Sequence, residues 1–402
     1  MKQLLRNMYI DNKRVLLRCD FNVPMAGGNI TDETKITKSL ETINYLLSKN
    51  CKIIILSHLG RVKTEEDKIA NSLLPVKNSL ERLLNKPVKF ASDILSVETK
   101  NTALNLQNGE ILLLENTRFL DVPNKLESNL NEEVAKHLAS LGEVFVFDAF
   151  AVAHRNHTTV VGISKYLPSC IGFLVEKEKA MLDKVIMEPT RPFTVIMGGA
   201  KVDDKLKVIR SLLPKCEHLL VSGGIANSFL SALGLNVGAS LKTNNPEIIK
   251  ELKNLMLTYK EKFAFPLDAI TTTTYSDTPE IKNINKIGAN DVIKDIGIKT
   301  INKYQNIIKE SNTIFMNGTM GIVEEKEFAN GTILMLNALK EKKEHVVIGG
   351  GDTVGAINNL GFKNTFPNIS SGGGATLEYI ANGTLPGIEA IGEEDEIEVL
   401  DL

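Results

Sequence analysis

Short apolar runs recur along the first half of the chain, and within each run the apolar residues follow one another without alternation. These runs occupy residues 15–17, 53–56, 111–114 and 144–147. Each is too short for a buried helix and too continuous for a strand with one exposed face. We therefore predict strands that are buried on both faces, as in a parallel sheet.

Helical patterns lie between these runs. The apolar face of the first predicted helix is formed by Ile36, Leu40, Ile43 and Leu47. Thr31 or Asp32 would cap its start, because hydroxyl and carboxylate oxygens accept the free N–H groups of a first turn.

The second half repeats the pattern, with apolar runs at residues 193–196, 219–221, 313–315 and 346–348. Alternation of strands and helices predicts an α/β fold with two doubly wound, Rossmann-like parallel-sheet domains. A charged helical stretch at residues 176–182 is predicted to join the two domains.

The length of 402 residues also favours two domains, because a single core usually stops growing at about 250–300 residues. We place the first domain at residues 1–172, a connecting helix or hinge at 173–188 and the second domain at 189–380. We expect the C-terminal segment, residues 381–402, to return to the first domain.

Charge and cysteine content narrow the function classes. The formal net charge of −2 gives no general attraction to nucleic acid or to acidic membranes. The four cysteines are scattered without a CxxC spacing, which disfavours a disulfide framework or a zinc site and fits a reducing cytosol. Neither a signal-peptide core nor a transmembrane run is visible. We expect a cytoplasmic protein without nucleic-acid or membrane partners.

Polar residues cluster just after the apolar runs of the first half. They are Arg18, Asp20 and Asn22; His58 and Arg61; Glu115, Asn116 and Arg118; and Asp148, His154, Arg155 and His157. Because ligands of open α/β sheets bind beyond the carboxyl ends of the strands, these side chains should converge on one edge. Converging arginines predict a small, multiply anionic ligand. Each arginine alone is equally compatible with a solvated loop or an ion pair, and the histidines lack a third metal ligand.

Glycine-rich turns follow the apolar runs of the second half, at residues 198–205, 222–224, 317–321, 349–353 and 370–374. Glycine lets the backbone approach a ligand, and a turn that leads into a helix offers free N–H groups to an anion. The two glycine triplets therefore predict one phosphate chain bound from two sides, with tight turns alone as the alternative.

The residues around these turns suit a nucleotide. Lys201 and Lys205 lie four apart, on one face if a helix starts there. Asp352 suits Mg²⁺, which typically takes one or two carboxylates together with phosphate oxygens. The chain lacks the GxxxxGK[ST] of P-loop enzymes, the GxGxxG of dinucleotide-binding dehydrogenases, the HRD and DFG of protein kinases and the GxSxG elbow. A nucleotide site of another type is predicted.

Taken in order, the motifs closely resemble those of the phosphoglycerate kinase family. The matching stretches are CDFNVP (19–24), SHLGR (57–61), LLENTRF (113–119), DAFAVAHRNH (148–157), GGAKVDDKL (198–206), NGTMGIVE (317–324), GGGDTVGAI (349–357), SSGGGATLEYI (370–380) and LPGIEAI (385–391). The resemblance implies a monomeric, two-lobed glycolytic kinase with a hinge. Such an enzyme moves a phosphoryl group between 1,3-bisphosphoglycerate and Mg-ADP, giving 3-phosphoglycerate and Mg-ATP.

The resemblance also implies two binding sites, phosphoglycerate on the first domain and nucleotide on the second. The implied substrate-binding residues are Asp20, Phe21, Asn22, Lys35, His58, Leu59, Gly60, Arg61, Arg118 and Arg155. The implied nucleotide-binding residues are Gly199, Ala200, Lys201, Lys205, Gly223, Gly224, Asn317, Glu324, Gly350, Gly351, Asp352 and Thr353, with Glu324 on the ribose and Asp352 on Mg²⁺. The implied catalytic residues are Lys35, Lys201, Gly372 and Gly373.

Several positions depart from the family pattern. Lys35 stands where the family carries a catalytic arginine, and lysine lacks the planar fork of arginine. We expect Lys35 to take over that role; the alternative is a nucleotide-binding protein of this fold with reduced or lost catalysis. Thr319 replaces the proline of an NGP turn and should loosen it. Ile293 and Lys294 replace a glycine-containing pair near the base pocket, so the resemblance does not define the contacts to adenine.

Overall fold

The computed structural model describes residues 2–394. Two compact units make up this part of the chain. The first runs to Lys179 and also contains the segment that begins at Thr384, and the second comprises Ala180–Gly383. The division falls inside one helix, Phe173–Ile186, which contains the charged stretch at residues 176–182.

The strands are β1 (Arg14–Cys19), β2 (Met25–Ala26), β3 (Asn29–Ile30), β4 (Lys52–Leu56), β5 (Lys89–Ala91), β6 (Ile111–Leu114), β7 (Val144–Asp148), β8 (Ser169–Ile171), β9 (Phe193–Met197), β10 (His218–Val221), β11 (Phe263–Ala264), β12 (Asp268–Thr273), β13 (Ser276–Asn283), β14 (Asp291–Ile296), β15 (Thr313–Asn317), β16 (Val346–Ile348) and β17 (Asn368–Ile369). The α-helices are α1 (Thr34–Ser48), α2 (Glu65–Ala70), α3 (Leu74–Leu84), α4 (Val97–Leu104), α5 (Glu132–Ala139), α6 (Phe173–Ile186), α7 (Leu206–Leu212), α8 (Gly223–Ala232), α9 (Pro246–Thr258), α10 (Ile298–Glu310), α11 (Asn330–Lys340), α12 (Gly351–Ile357), α13 (Gly374–Asn382) and α14 (Pro386–Glu389). Within residues 2–394, none of the helices has the length and apolarity needed to cross a membrane.

The first unit is built on a six-stranded parallel sheet in the order β5–β6–β4–β1–β7–β8. The four apolar runs predicted from the sequence are its central strands β6, β4, β1 and β7. Leu16 of β1 pairs with Ile54 of β4 on one side and Phe145 of β7 on the other, and all three are fully buried. Burial on both faces explains why these strands read as continuous apolar runs.

Helix α1 follows the predicted pattern with one shift. Ile36 and Ile43 are buried as predicted, but Leu46 is fully buried while Leu47 is only partly so. Oδ1 of Asp32 accepts the N–H of Thr34 at 2.8 Å, so this carboxylate serves the first turn of the helix. The start of α1 is relevant to the candidate site because Lys35 lies in its first turn.

The second unit contains another six-stranded parallel sheet, in the order β11–β10–β9–β15–β16–β17. The predicted runs are its strands β9, β10, β15 and β16. The predicted α/β fold with two parallel sheets is therefore confirmed. A three-stranded antiparallel sheet, β13–β12–β14, was not predicted, because β13 is exposed along nearly all its length and has no apolar face.

A buried carboxylate joins the end of β7 to the start of α6. Oδ1 of Asp148 accepts the N–H groups of Leu174 and Val175 at 2.9 and 3.1 Å. Such first-turn groups have no partner inside their own helix. Gly172 passes so close that a Cβ there would lie 2.4 Å from the carboxylate, which makes glycine necessary. Burial raises the pKa of Asp148 to about 6, although its hydrogen bonds act in the opposite direction.

We predict that Asp148→Asn weakens the pH dependence of stability. The pKa of Asp148 is raised to about 6 in the folded protein and is about 3.9 in an unfolded chain. At pH values between these two pKa values, the folded state therefore binds more protons than the unfolded chain. The free energy of unfolding therefore falls by roughly 3 kcal/mol as the pH rises from about 4 to about 6. Asparagine keeps an oxygen acceptor for α6 but does not titrate.

Urea unfolding followed by circular dichroism at several pH values measures this difference. The exposed Glu98→Gln substitution is the control and should leave the pH dependence of the wild type unchanged. Equal slopes for wild type and Asp148→Asn would contradict the assignment.

Candidate functional site

Basic side chains gather at the carboxyl ends of β1, β4, β6 and β7, which meet at one edge of the first sheet because the strands are parallel. Nη2 of Arg18 lies 3.3 Å from Nδ1 of His58, and Nη1 of Arg118 donates to the carbonyl of Gly60. Burial lowers the pKa values of both His58 and Arg118, and the nearby positive charge of Arg155 lowers them further. We call Arg18, Lys35, His58, Arg118 and Arg155 the basic edge.

The loop after β1 is fixed to the loop after β4. The N–H of Phe21, whose ring is fully buried, donates to Oγ of Ser57 at 2.8 Å. Oδ1 of Asn22 accepts the N–H of Gly60 at 2.9 Å, and Oδ1 of Asp20 accepts the N–H of Asn22 at 3.1 Å. The polar groups of Asp20 and Asn22 therefore hold the backbone of both loops in place.

Lys35 reaches the basic edge from the first turn of α1. Its Nζ lies 2.7 Å from Oδ2 of Asp20, and about a third of its side chain remains exposed. The carboxylate of Asp20 is almost fully buried. The ion pair therefore draws the lysine ammonium to the end of β1 while leaving part of it accessible.

The loop after β4 is held by side chains that follow β6. Nδ2 of the buried Asn116 donates to the carbonyl of Leu59 at 2.7 Å, and Arg118 donates to the next carbonyl, that of Gly60. Gly60 has φ +60°, a conformation that favours glycine. Arg61 is exposed and Leu59 is buried. Leu59 and Gly60 thus shape the backbone, whereas Arg61 extends into solvent.

Cation crowding and burial determine the protonation of the basic edge. Burial lowers the pKa of His58 far below its ordinary value, and Arg18 and Arg118 lower it further. The ring is therefore neutral at pH 7. Burial also lowers the pKa of the partly buried Arg118, and the positive charge of Arg155 adds to this effect.

A buried carboxylate that was not predicted from the sequence, Glu127, lies beneath these cations. Oε1 of Glu127 accepts the hydroxyl of Thr159 at 2.6 Å, and Nε of Arg18 donates to the same hydroxyl at 2.9 Å. Burial raises the pKa of Glu127 to about 7, although Arg18 and Thr159 act in the opposite direction. His157, 3.8 Å from this carboxylate, has a pKa lowered to about 4, chiefly by burial. Glu127 lies in a polar loop outside every motif, so no local sequence signal marks it.

In the second unit the glycine-rich turns lie at the carboxyl edge of the sheet, directly after β9, β10, β15 and β16. The N–H of Gly224 donates to the carbonyl of Gly199 at 2.9 Å. A Cβ on Gly224 would lie only 1.8 Å from the oxygen of Ala200, and one on Gly223 would lie 2.8 Å from the oxygen of Gly199. The turns pack too closely for side chains at these glycines, so backbone forms this part of the edge.

Asn317, at the end of β15, joins two of these turns. Its Nδ2 donates to the carbonyl of Gly349 at 2.7 Å, and Oγ1 of Thr353 accepts the N–H of Gly318 at 2.8 Å. Within the described residues, the buried Oδ1 of Asn317 has no hydrogen-bond partner, so it remains available as an acceptor. Gly350, at φ +99°, starts the turn that leads into α12.

The two lysines after β9 do not share a helical face, which corrects the sequence prediction. Helix α7 begins only at Leu206, so both Lys201 and Lys205 precede it. Nζ of Lys205 donates to the carbonyl of Gly198 at 2.7 Å, whereas Lys201 is exposed. Burial lowers the pKa of Lys205 to about 8, and the nearby Asp352 partly offsets this shift.

Two acidic residues and the second glycine triplet complete the predicted set. Asp352 is exposed in the first turn of α12, after Gly351, and Glu324 is exposed in a turn after β15. Helix α13 begins at Gly374, directly after Gly372 and Gly373, so its first N–H groups lie beside the triplet. In residues 2–394, no three His, Cys, Asp or Glu side chains form a metal cluster. A single carboxylate suits Mg²⁺ that keeps waters and phosphate oxygens as its other ligands.

The positions that depart from the family pattern have partners of their own. Oγ1 of Thr319 donates to the carbonyl of Gly321 at 3.0 Å, a hydrogen bond that proline could not make. Nζ of Lys294 lies 3.0 Å from Oε1 of Glu325, and the N–H of Ile293 donates to Oγ of Ser240 at 2.8 Å. The looser turn expected at Thr319 stays a prediction.

Comparisons with known proteins agree over almost the full length. The sequence profile of phosphoglycerate kinase matches residues 5–383. The phosphoglycerate kinase of Macrococcus caseolyticus is 43% identical over 396 residues, which is 98% of this chain and 100% of that protein. The one from Fusobacterium nucleatum is 41% identical over 397 residues, covering 97% of this chain and 99% of that protein.

A solved structure also matches almost the full length of the chain. Phosphoglycerate kinase from Coxiella burnetii matches with a TM-score of 0.88 and 33% sequence identity, covering 97% of this chain and 98% of that one. The profile, the relatives and the fold all identify one family, and the chain belongs to the phosphoglycerate kinase family.

Proposed function

We propose that this chain is an active phosphoglycerate kinase, which transfers a phosphoryl group reversibly from 1,3-bisphosphoglycerate to Mg-ADP and releases 3-phosphoglycerate and Mg-ATP. The observation that carries the proposal is the basic edge. Beyond the effect of burial, the positive charges of Arg118, Lys35 and Arg155 lower the pKa of His58, so these cations lie close together and repel one another. Such repulsion is relieved by a multiply charged anion, which is the chemistry of phosphoglycerate.

The first unit would hold phosphoglycerate. The residues proposed to bind it are Asp20, Phe21, Asn22, Lys35, His58, Leu59, Gly60, Arg61, Arg118 and Arg155. Arg118 and Arg155 would neutralise phosphate or carboxylate oxygens, and Asn22 would supply its amide as a donor. Phe21, Leu59 and Gly60 would contribute by setting the positions of the backbone.

The second unit would hold the nucleotide. Its proposed contacts are Gly199, Ala200, Lys201, Lys205, Gly223, Gly224, Asn317, Glu324, Gly350, Gly351, Asp352 and Thr353. The closely packed glycine turns let main-chain N–H groups approach phosphate oxygens, as anion-binding turns do. The carboxylate of Glu324 would accept hydrogen bonds from the ribose hydroxyls.

Asp352 would hold Mg²⁺ together with phosphate oxygens of the nucleotide. Bound there, the ion would neutralise charge on the oxygens of the transferred group. Lys201, Gly372 and Gly373 would stabilise the same group by an ammonium charge and by N–H groups at the start of α13. Direct transfer requires in-line positioning, so closure about a hinge in the connecting helix belongs to the proposal.

The proposed setting is a monomer in the cytoplasm, acting in glycolysis on small molecules and not on nucleic acid or membranes. Support comes from the family, from a net charge of −2 and from the cysteines. Cys19, Cys51, Cys170 and Cys216 are all free and buried, which suits a reducing compartment.

Lys35 is proposed to replace the family arginine in stabilising the moving phosphoryl group. Its ammonium pairs with Asp20 at 2.7 Å but remains partly exposed, so it keeps donors for a substrate oxygen. A lysine acts as a compact point charge, which can serve a phosphoryl group without the bidentate geometry of arginine.

We predict that Lys35→Ala lowers the rate of ATP formation by about a hundredfold, the effect of removing one transition-state contact. Lys35→Arg should give no gain over the wild type, because Asp20 already positions the lysine. Steady-state assays coupled to ATP production measure both variants.

The control is Lys38→Ala, which removes an exposed lysine from the next turn of the same helix and should not change the rate. Unchanged turnover in Lys35→Ala would remove Lys35 from the mechanism. A wild type without activity at high enzyme concentration would contradict the proposed function itself.

We predict that Asp352→Asn raises the Mg²⁺ concentration needed for half-maximal activity by at least about tenfold, since it removes a carboxylate ligand. Asp204→Asn is the matched control, because Asp204 is also an exposed acid that acts on Lys205. Magnesium titrations of the steady-state rate compare the variants. An equal requirement in Asp352→Asn and wild type would exclude Asp352 as a ligand.

A further inference from the structure

A chain of buried hydrogen bonds leads from Glu127 to the ring of His58. Oε1 of Glu127 accepts the hydroxyl of Thr159 at 2.6 Å, and Nε of Arg18 donates to that hydroxyl at 2.9 Å. Nη2 of Arg18 then lies 3.3 Å from Nδ1 of His58. All four residues are at least 95% buried, so solvent does not compete for these bonds.

The direction of each bond follows from the groups that make it. Guanidinium carries only donors, so Nδ1 of His58 must accept from Arg18 and cannot hold a proton. The hydroxyl of Thr159 has one proton, which goes to Oε1 of Glu127, and its lone pair therefore faces Nε of Arg18. The N–H of Thr159 donates to Oε2 of Glu127 at 3.1 Å, so both carboxylate oxygens act as acceptors.

The guanidinium of Arg18 is fixed at three of its nitrogens. Besides the contacts with Thr159 and His58, Nη1 donates to the carbonyl of Cys19. Rotation of the group would break all three contacts at once. Thr159 and Glu127 therefore hold Arg18 in the orientation in which one N–H points at His58.

The charges around His58 favour the same state. Arg18, Arg118, Lys35 and Arg155 all act on the ring as cations. A second proton on the ring is therefore disfavoured, and the single proton of the neutral ring must lie on Nε2. Among the described residues the ring bonds through Nδ1 only, which leaves Nε2–H for a ligand.

We propose that Glu127, Thr159 and Arg18 are positioning residues that hold His58 as its neutral Nε2–H tautomer, which makes the ring a hydrogen-bond donor to a carboxylate or phosphate oxygen of phosphoglycerate. This inference rests on the proposed function for the identity of the ligand. The tautomer itself is a property of the free protein.

The first test is the tautomer, read from two-bond nitrogen–proton correlations of the ring in protein labelled with ¹⁵N-histidine, at pH 7 without substrate. His58→Gln assigns the His58 signals. We expect Nδ1 to resonate as an unprotonated nitrogen and Nε2 as a protonated one. A proton on Nδ1, or a doubly protonated ring, would overturn the inference, whether or not the enzyme is active.

The second test is the pair Thr159→Val and Thr159→Ser. Valine has nearly the shape of threonine but no hydroxyl, whereas serine keeps the hydroxyl. In Thr159→Val we expect a mixed or reversed tautomer and a roughly tenfold higher KM for 3-phosphoglycerate, the effect of one weakened hydrogen bond. The kcat should stay close to that of the wild type, because binding is lost equally in ground and transition states.

Thr159→Ser should restore both the tautomer and the KM, which a purely structural role of the threonine methyl would not do. Circular dichroism checks that each variant is folded. Glu127→Gln is an independent change in the same chain of hydrogen bonds. An unchanged tautomer and KM in folded Thr159→Val would overturn the proposal. An inactive wild type with the expected tautomer would instead contradict the proposed function alone.

Discussion

The basic edge depends on one electrostatic constraint: several cations must be kept together in the absence of their ligand. Arg18 and His58 are buried, and burial of charge is costly without compensation. Two acidic residues lie next to these cations. Glu127 is buried beneath the cluster and is hydrogen-bonded through Thr159, and Asp20 pairs with Lys35 at the rim. His58 avoids a further charge by remaining neutral. We therefore expect the edge to bind its proposed anion with little rearrangement.

The glycine-rich edge of the second unit is made mainly of backbone, and its constraint is the close packing of the turns. The glycine turns approach each other so closely that Cβ atoms at Gly198, Gly224 or Gly318 would lie within about 2 Å of a main-chain oxygen. Asn317 and Thr353 then satisfy groups of the neighbouring turns. The two edges therefore differ in chemistry, since fixed charges dominate the first and closely packed main chain dominates the second.

Much of the fold could be predicted because parallel strands buried on both faces leave a clear sequence signal. The runs at residues 111–114 and 346–348 coincide with β6 and β16. The antiparallel sheet was missed since β13 faces solvent and lacks that signal. The spacing of Lys201 and Lys205 would put them on one face only if a helix started there, and that helix starts at Leu206, because spacing alone cannot tell a turn from a helix.

The convergence of side chains at one edge of the first sheet could also be predicted. Residues that follow the strands could be placed on one edge from topology alone, and His58 and Arg118 do lie there. Glu127 could not be placed at this edge from the sequence, because it lies in a loop more than a hundred positions away from Arg18. Nor could spacing reveal that Asp20 would pair with Lys35, which depends on how α1 packs.

The central claim, that the edge of the first sheet is the phosphoglycerate site, is tested most directly by a crystal structure of the protein with 3-phosphoglycerate. The account predicts the ligand at the carboxyl ends of β1, β4 and β6, within hydrogen-bond distance of Arg118, Asn22 and Nε2 of His58. A ligand bound at the opposite edge of this sheet, or only on the second unit, would contradict it.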